Sequence, residues 1–122
     1  MPTVELTRDN FESVVTDNPM VVVDFWAPWC GPCRGFAPVF ENASQSHPDV
    51  VFAKVNTDKE QELAGSFNIR SIPTLMVFRE KVILVQQAGA MPASALEQML
   101  SKVKSVDMTE VRKEIAKRDA TT

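Results

Sequence analysis

Cys30 and Cys33, separated by Gly31-Pro32, are the only cysteines in this chain of 122 residues, and His47 is its only histidine. A closed zinc site takes four Cys or His ligands, and a disulfide scaffold needs more cysteines than two. At two-residue spacing the pair therefore reads as redox chemistry, a dithiol and a disulfide interconverting. The competing reading is two inert thiols in a packed core. The context is Asp24-Phe25-Trp26-Ala27-Pro28-Trp29-Cys30-Gly31-Pro32-Cys33, where a buried strand ends and a helix begins. A cysteine at the N-cap has access to unpaired amides and to the positive end of the helix dipole, and both favour the thiolate that attacks disulfides. Bringing a thiol from about 8.5 to about 7 takes roughly 2 kcal/mol. An exposed helix dipole supplies about 0.3–1 kcal/mol, so direct hydrogen bonds to Cys30 must provide the rest, with the Cys33 amide and thiol as donors. Cys33, in the first turn, is expected to be the more buried and less reactive of the two. Helical i and i+3 Cβ atoms lie about 5–6 Å apart and a disulfide wants about 3.5–4.5 Å, a gap that a non-helical N-cap closes with little movement.

Strand alternation in Val22-Val23-Asp24-Phe25-Trp26 puts Asp24 on the face of Val22 and Trp26. Desolvation there raises a carboxyl pKa and makes Asp24 a proton acceptor for the buried thiol. The plain alternative is a strand-end carboxylate facing water. Lys54, alone among apolar residues of the next strand, is either the charge partner of Asp24 or a lysine that snorkels to solvent.

These residues need a scaffold. Leu, Ile, Val and Phe occupy 33 positions, too many for a disordered chain, and the length suits one domain. Net charge is −3 with pI near 5.1, which argues against nucleic acid as the main partner. No apolar run approaches the roughly 18 residues of a membrane span, and Met1-Pro2-Thr3-Val4-Glu5 lacks a secretory pattern, so a cytosolic location is expected.

Val4-Glu5-Leu6 is a short strand candidate, and Thr7 is expected to cap a helix carrying Phe11, Val14 and Val15, closed at Asn18-Pro19. Met20–Trp26 reads as a strand buried on both faces. The helix after Gly31-Pro32 buries Phe36, Phe40 and Ala43, with Pro38 expected to kink it and Gly35 costing up to about 1 kcal/mol relative to Ala unless it permits a close approach behind Cys33. Val50–Asn56 is a strand, Thr57-x-x-Glu60 a capping box for a helix with Leu63, Ala64 and Phe67, and Asn68 its left-handed C′ residue. Thr74–Arg79 and Val82–Ala88 form a hairpin. Glu80-Lys81 lacks the Asn-Gly type of pair, which predicts a looser or longer turn. Pro92 suits N1 of a helix with Leu96, Met99, Leu100 and Val103 on one stripe. His47, beside Pro48, reads as a loop residue. The pattern indicates an α/β sandwich on a mixed sheet, with Ser105–Thr122 as a short, weakly docked helix carrying Val111 and Ile115.

Trp29-Cys30-Gly31-Pro32-Cys33 resembles the thioredoxin active-site motif at every position. Asp24 is similar to the family's buried aspartate and Lys54 to its neighbouring lysine. Ile72-Pro73-Thr74 resembles its cis-proline loop, and Gly89 the groove glycine before the last helix. The similarity covers roughly residues 4–104, and Arg34, Phe36-Ala37-Pro38, Asn56-Thr57 and Arg70-Ser71-Ile72-Pro73 most resemble the bacterial thioredoxin 2 branch, whose N-terminal zinc-binding extension has no counterpart here.

The resemblance implies a thioredoxin fold, a central mixed five-stranded sheet flanked by four helices, over residues 1–104, with 105–122 as a C-terminal helical extension. It implies a cytoplasmic, monomeric protein-disulfide reductase with no bound cofactor or metal, drawing on NADPH through a thioredoxin reductase. Cys30 would attack and Cys33 resolve, with Asp24 exchanging the Cys33 proton through water. Pro73 would be cis against the sulfurs, the Ile72 backbone would pair with substrate, and Trp29, Gly31, Pro32, Ile72 and Gly89 would form the docking face. For Trp29 the alternative is core packing. Ribonucleotide reductase, methionine sulfoxide reductase and thiol peroxidases are the substrate proteins implied. An oxidase or isomerase is disfavoured by Gly31-Pro32, because oxidising relatives tend to carry a histidine there. A binding module whose surface acts without its thiols is the reading of a different class.

Overall fold

In a computed structural model that describes residues 3–121, the chain runs β1 (Thr3–Glu5), α1 (Phe11–Asp17), β2 (Met20–Trp26), α2 (Gly31–Ser46), β3 (Val51–Asn56), α3 (Gln61–Ser66), β4 (Thr74–Arg79), β5 (Val82–Ala88), α4 (Ala93–Ser105) and α5 (Met108–Thr121). Expectations that reach Met1, Pro2 and Thr122 lie outside the described residues. The sheet order is β1-β3-β2-β4-β5, with β1, β3 and β2 parallel and β4 antiparallel to both of its neighbours, β2 and β5. The apolar β2 is central and covered on both faces, as its run of buried residues requires. Val22 packs with Phe36 and Phe40 of α2 and Leu96, Leu100 and Val103 of α4. Val21, Val23 and Phe25 pack on the opposite side with Val15 of α1 and Ala64 of α3. There Phe11, Phe67 and Phe78 meet with centroids 5.4–6.0 Å apart, a separation suited to tilted and edge-on ring pairs.

Several local expectations are corrected. Thr7 does not cap α1; Asn10 is the N-cap, and its Oδ1 accepts instead from the Thr7 amide at 2.7 Å, closing a turn ahead of the helix. The capping box at Thr57 does not form. Glu60 is the N-cap of α3, its Oε1 accepts from the Arg8 amide at 2.8 Å, and Thr57 donates its hydroxyl to the Trp26 carbonyl. Pro92 is the N-cap of α4 rather than N1. Asn68 does take the left-handed conformation, with φ 57°. The helix α2 runs eight residues past Pro38, and a Cβ at Gly35 would meet nothing within 4 Å, so no close approach explains that glycine.

The hairpin turn is tight, contrary to expectation. Arg79 pairs with Val82, leaving Glu80 (φ 50°) and Lys81 (φ 71°) as a two-residue loop. Two successive positive φ values match the twist of the flanking strands. What offsets the strain of non-glycine residues is tertiary: the Glu80 amide donates to the Pro19 carbonyl at 2.8 Å, and its carboxylate pairs with Arg112 of α5. The register shift falls one step into the strands, between Val77 and Phe78.

The C-terminal segment is a 14-residue helix, and its anchor is not the Val111 and Ile115 stripe. Met108 is 4% exposed while Ile115 is 38% exposed. Asp107 caps the helix through the amides of Thr109 and Glu110. Arg79 donates to the carbonyls of Val103, Lys104 and Val106, tying the end of α4 and the start of α5 to the hairpin. His47 is more than a loop residue: it ends α2, with Nε2 2.8 Å from a Glu97 carboxylate oxygen and Nδ1 2.9 Å from Lys104 Nζ.

Candidate active site

The fold places the end of β2, the start of α2 and the loop before β4 side by side. Cys30 is the N-cap of α2, with φ −85° and ψ 112°, and its sulfur accepts from the Cys33 amide at 3.2 Å. Pro32 fits the first turn because it has no amide to leave unpaired. The extended N-cap backbone brings the two Cα atoms to 5.2 Å, and Cys30 and Cys33 are joined as a disulfide. Cys33 is 2% exposed, as expected of a first-turn residue. Cys30 is only 5% exposed, so the sulfur pair is covered more fully than an exposed N-cap implies. Ala27 packs with both cysteines, and Trp26 and Ile72 close over them.

The Ile72–Pro73 bond is cis. Pro73 is buried and offers no amide beside the sulfurs, while the Ile72 carbonyl lies 3.7 Å from Cys30 Sγ. Gly89, at φ 99°, donates its amide to the Pro73 carbonyl at 2.8 Å. This places Gly89 next to the cis-proline loop although sixteen residues separate them. Gly31, Pro32 and Gly89 are exposed and Ile72 is half-buried.

Trp29 does not pack in the core. It is 68% exposed, and its indole Nε1 donates to both carboxylate oxygens of Asp58 at 3.0 and 3.2 Å. Asp58 was not among the sequence candidates. The signal was the polar run Asn56-Thr57-Asp58 after a strand, a turn pattern in which Asn56 Oδ1 accepts from the amides of Asp58 and Lys59.

Asp24 is 1% exposed, and neither carboxylate oxygen has a hydrogen-bond partner among the described residues. Burial pushes its pKa from 3.8 up to about 7, and the Lys54 charge pulls the other way. Asp24 and Lys54 are paired in the β2–β3 register, but the Lys54 ammonium sits 4.6 Å from the centre of the Trp26 ring. Both sequence readings of Lys54 are therefore incomplete, since it is half-buried against an aromatic face. The alternative of a water-facing Asp24 is excluded.

The site is thus a helix-capping disulfide next to a cis-proline loop, with a buried carboxyl in the preceding strand. The Thioredoxin family model matches residues 2–102. The chain belongs to the thioredoxin family. It is 52% identical over 118 residues to a putative thioredoxin 2 of Streptomyces coelicolor, covering 97% of this chain and 88% of the relative. It is 43% identical over 102 residues to a thioredoxin of Alicyclobacillus acidocaldarius, covering 83% of this chain and 97% of the relative. Among solved structures, a Plasmodium falciparum thioredoxin superposes with TM-score 0.77 at 37% identity, covering 82% of this chain and 98% of that one.

With the thioredoxin redox pair in place, the chain is a thiol-disulfide oxidoreductase. Membership of the thioredoxin family brings thioredoxin reductase and disulfide-bearing proteins as partner classes. Among the described residues no group of three or more His, Cys, Asp and Glu is placed to hold a metal ion, and no helix is long and apolar enough to cross a membrane.

Proposed function

We propose that this protein is a general cytosolic reductase of protein disulfides in which Cys30 is the nucleophile and Cys33 the resolving thiol. The observation that carries the assignment is the Cys33 amide donating to Cys30 Sγ at the start of α2. In the reduced protein that amide and the helix terminus favour a thiolate on Cys30. The Cys30 thiolate attacks one sulfur of a substrate disulfide, forming a mixed disulfide and releasing the other substrate sulfur as a thiolate that takes up a proton. Cys33 then loses its proton and attacks Cys30 Sγ. The second substrate thiolate leaves and the Cys30–Cys33 disulfide forms, so two electrons and two protons have passed to the substrate.

Asp24 is the acceptor of the Cys33 proton in this reading, through water, because a carboxyl near pKa 7 exchanges protons at neutral pH. Lys54 tunes Asp24 by its charge. An extended substrate segment pairs with the Ile72 backbone while Trp29, Gly31, Pro32, Pro73 and Gly89 form the surface around it. NADPH enters through a thioredoxin reductase. Ribonucleotide reductase, methionine sulfoxide reductase and thiol peroxidases are the substrates proposed, for a monomer whose redox domain spans residues 1–104 and whose extension spans 105–122.

Reduction of insulin disulfides by dithiothreitol, with and without the protein and its Cys30→Ser variant, tests this. Strong acceleration that vanishes in the variant is expected. Acceleration by neither protein, or by both alike, overturns the assignment.

A further inference from the structure

We propose that Arg70 makes the pocket beside Cys30 a specificity site for a glutamate side chain close to the substrate cysteine. This rests on the reductase reading above and names the substrate feature that its docking face would select. A pocket of about 200 Å³ is lined by Trp29, the residue before Cys30, together with Ala64, Ile69, Arg70 and Ile72. The Ile72 carbonyl that borders it is the group 3.7 Å from Cys30 Sγ, so an occupant of the pocket is a near neighbour of the reacting sulfur. The Ile72 amide donates to nothing among the described residues, leaving it open to an extended segment lying across the loop.

The charges define the occupant. Arg70 is exposed, and its Nε donates to Asn68 Oδ1 at 3.3 Å, which holds the guanidinium on the left-handed turn that ends α3. No carboxylate lies within 4 Å of it among the described residues. Asp58, across Trp29, is engaged by the indole. Arg34, next to Cys33 in α2, donates to the Pro28 carbonyl at 3.0 Å and likewise has no carboxylate partner among the described residues. Two guanidinium groups without a carboxylate partner among the described residues thus lie on the segments that carry Cys33 and Ile72, in a chain whose net charge is −3. A glutamate matches this combination: its two methylenes lie against Trp29 and Ile69, and its carboxylate meets the planar fork of Arg70. A lysine in the same place meets like charge.

The test uses synthetic peptides closed by one disulfide, with Glu, Gln or Lys at each of the two positions on either side of the attacked cysteine. The rate constant for their reduction by the pre-reduced protein is measured for wild type, Arg70→Gln and Arg70→Glu, at low and high salt. Wild type is expected to prefer Glu to Gln by about three- to fivefold at one of these positions, the range of an exposed ion pair, and to disfavour Lys. The preference is expected to shrink at high salt and in Arg70→Gln, and to reverse in Arg70→Glu. Ratios within each variant cancel any general loss of folding or activity. Reduction of all peptides with equal ratios in the three proteins overturns this proposal alone. Failure of wild type to reduce even the Gln peptides overturns the reductase reading and this proposal with it.

Discussion

Asp24 and Lys54 are direct neighbours in the β2–β3 register, yet the Lys54 ammonium rests 4.6 Å from the Trp26 ring centre and neither Asp24 oxygen is hydrogen-bonded among the described residues. A direct ion pair would hold the carboxyl ionised at neutral pH. A lysine at one remove lowers the pKa only in part, so desolvation dominates and the carboxyl titrates near 7. The carboxyl can therefore both bind and release a proton near neutral pH, which is what the proton-exchange role proposed for Asp24 requires.

Asp24 carries a stability penalty that depends on pH. Its folded pKa is raised above the unfolded value of 3.8, so between 3.8 and about 7 the folded state binds the proton more tightly. Stability is thus unaffected by this group below about 3.8, falls as pH rises through the interval, and is lowest above 7. That interval corresponds to roughly 4 kcal/mol, an order-of-magnitude bound. Asp24→Asn is expected to be more stable than wild type at pH 8 by a few kcal/mol, and the difference is expected to shrink toward pH 4. Urea denaturation of the oxidised proteins at several pH values measures it; a difference that does not vary with pH contradicts the assignment.

The bond from Trp29 to Asp58 spans two loops on the exposed surface, so it positions the indole more than it stabilises the fold. Asp58→Ala is expected to lower kcat/KM for insulin reduction by about two- to fivefold, the effect of losing one exposed charge-assisted contact. Tm is expected to move little. A large drop in Tm, or no kinetic change, would show that the contact does not orient Trp29 for substrate.

The strands and their apolar periods were legible because burial on both faces of β2 leaves few alternatives for a run such as Met20–Trp26. Cys30 at the helix N-cap and the burial of Asp24 followed from local spacing alone. The misreadings at Thr7 and Pro92 are local shifts of a cap, but those at the hairpin turn, the Thr57 capping box and Asp58 lie where a distant group outcompetes a local one. Glu80 and Lys81 hold positive φ because Pro19 and Arg112 bind Glu80, Glu60 is taken by the Arg8 amide, and Asp58 is taken by Trp29. Each partner is at least thirty residues away except Asp58's, which is twenty-nine, and no local pattern encodes such a pairing. Arg70 entered the sequence reading only as part of the Arg70-Ser71-Ile72-Pro73 resemblance, because the pocket that it lines is formed by residues distant in the chain.

Gly35 lies in the middle of the first two turns of α2, with no neighbour within 4 Å of an added Cβ and no positive φ. Nothing in its surroundings requires glycine. Gly35→Ala is expected to raise stability by up to about 1 kcal/mol through the lower backbone entropy of the unfolded chain. Guanidinium denaturation of both proteins checks it, and a destabilised variant would show that the helix surface at this point is less open than the geometry indicates.

The stability of the C-terminal helix is expected to be separable from that of the sheet. Met108 is its buried apolar anchor, and Arg112 reaches Glu80 on the hairpin turn. Most of its other residues are exposed, including Ile115. Truncating a buried methionine costs about 2–5 kcal/mol when its site cannot collapse, which exceeds what an exposed ion pair of about 0.2–1 kcal/mol retains. Met108→Ala is therefore expected to release α5 locally. Hydrogen exchange should show protection lost across Val111–Arg118 while the β2 amides keep theirs, and insulin reduction should be unchanged because α5 contributes no group to the Cys30 surface. Equal loss of protection in α5 and β2 would mean that the extension folds as one cooperative unit with the sheet, bound to it through Arg79 as firmly as α4 is.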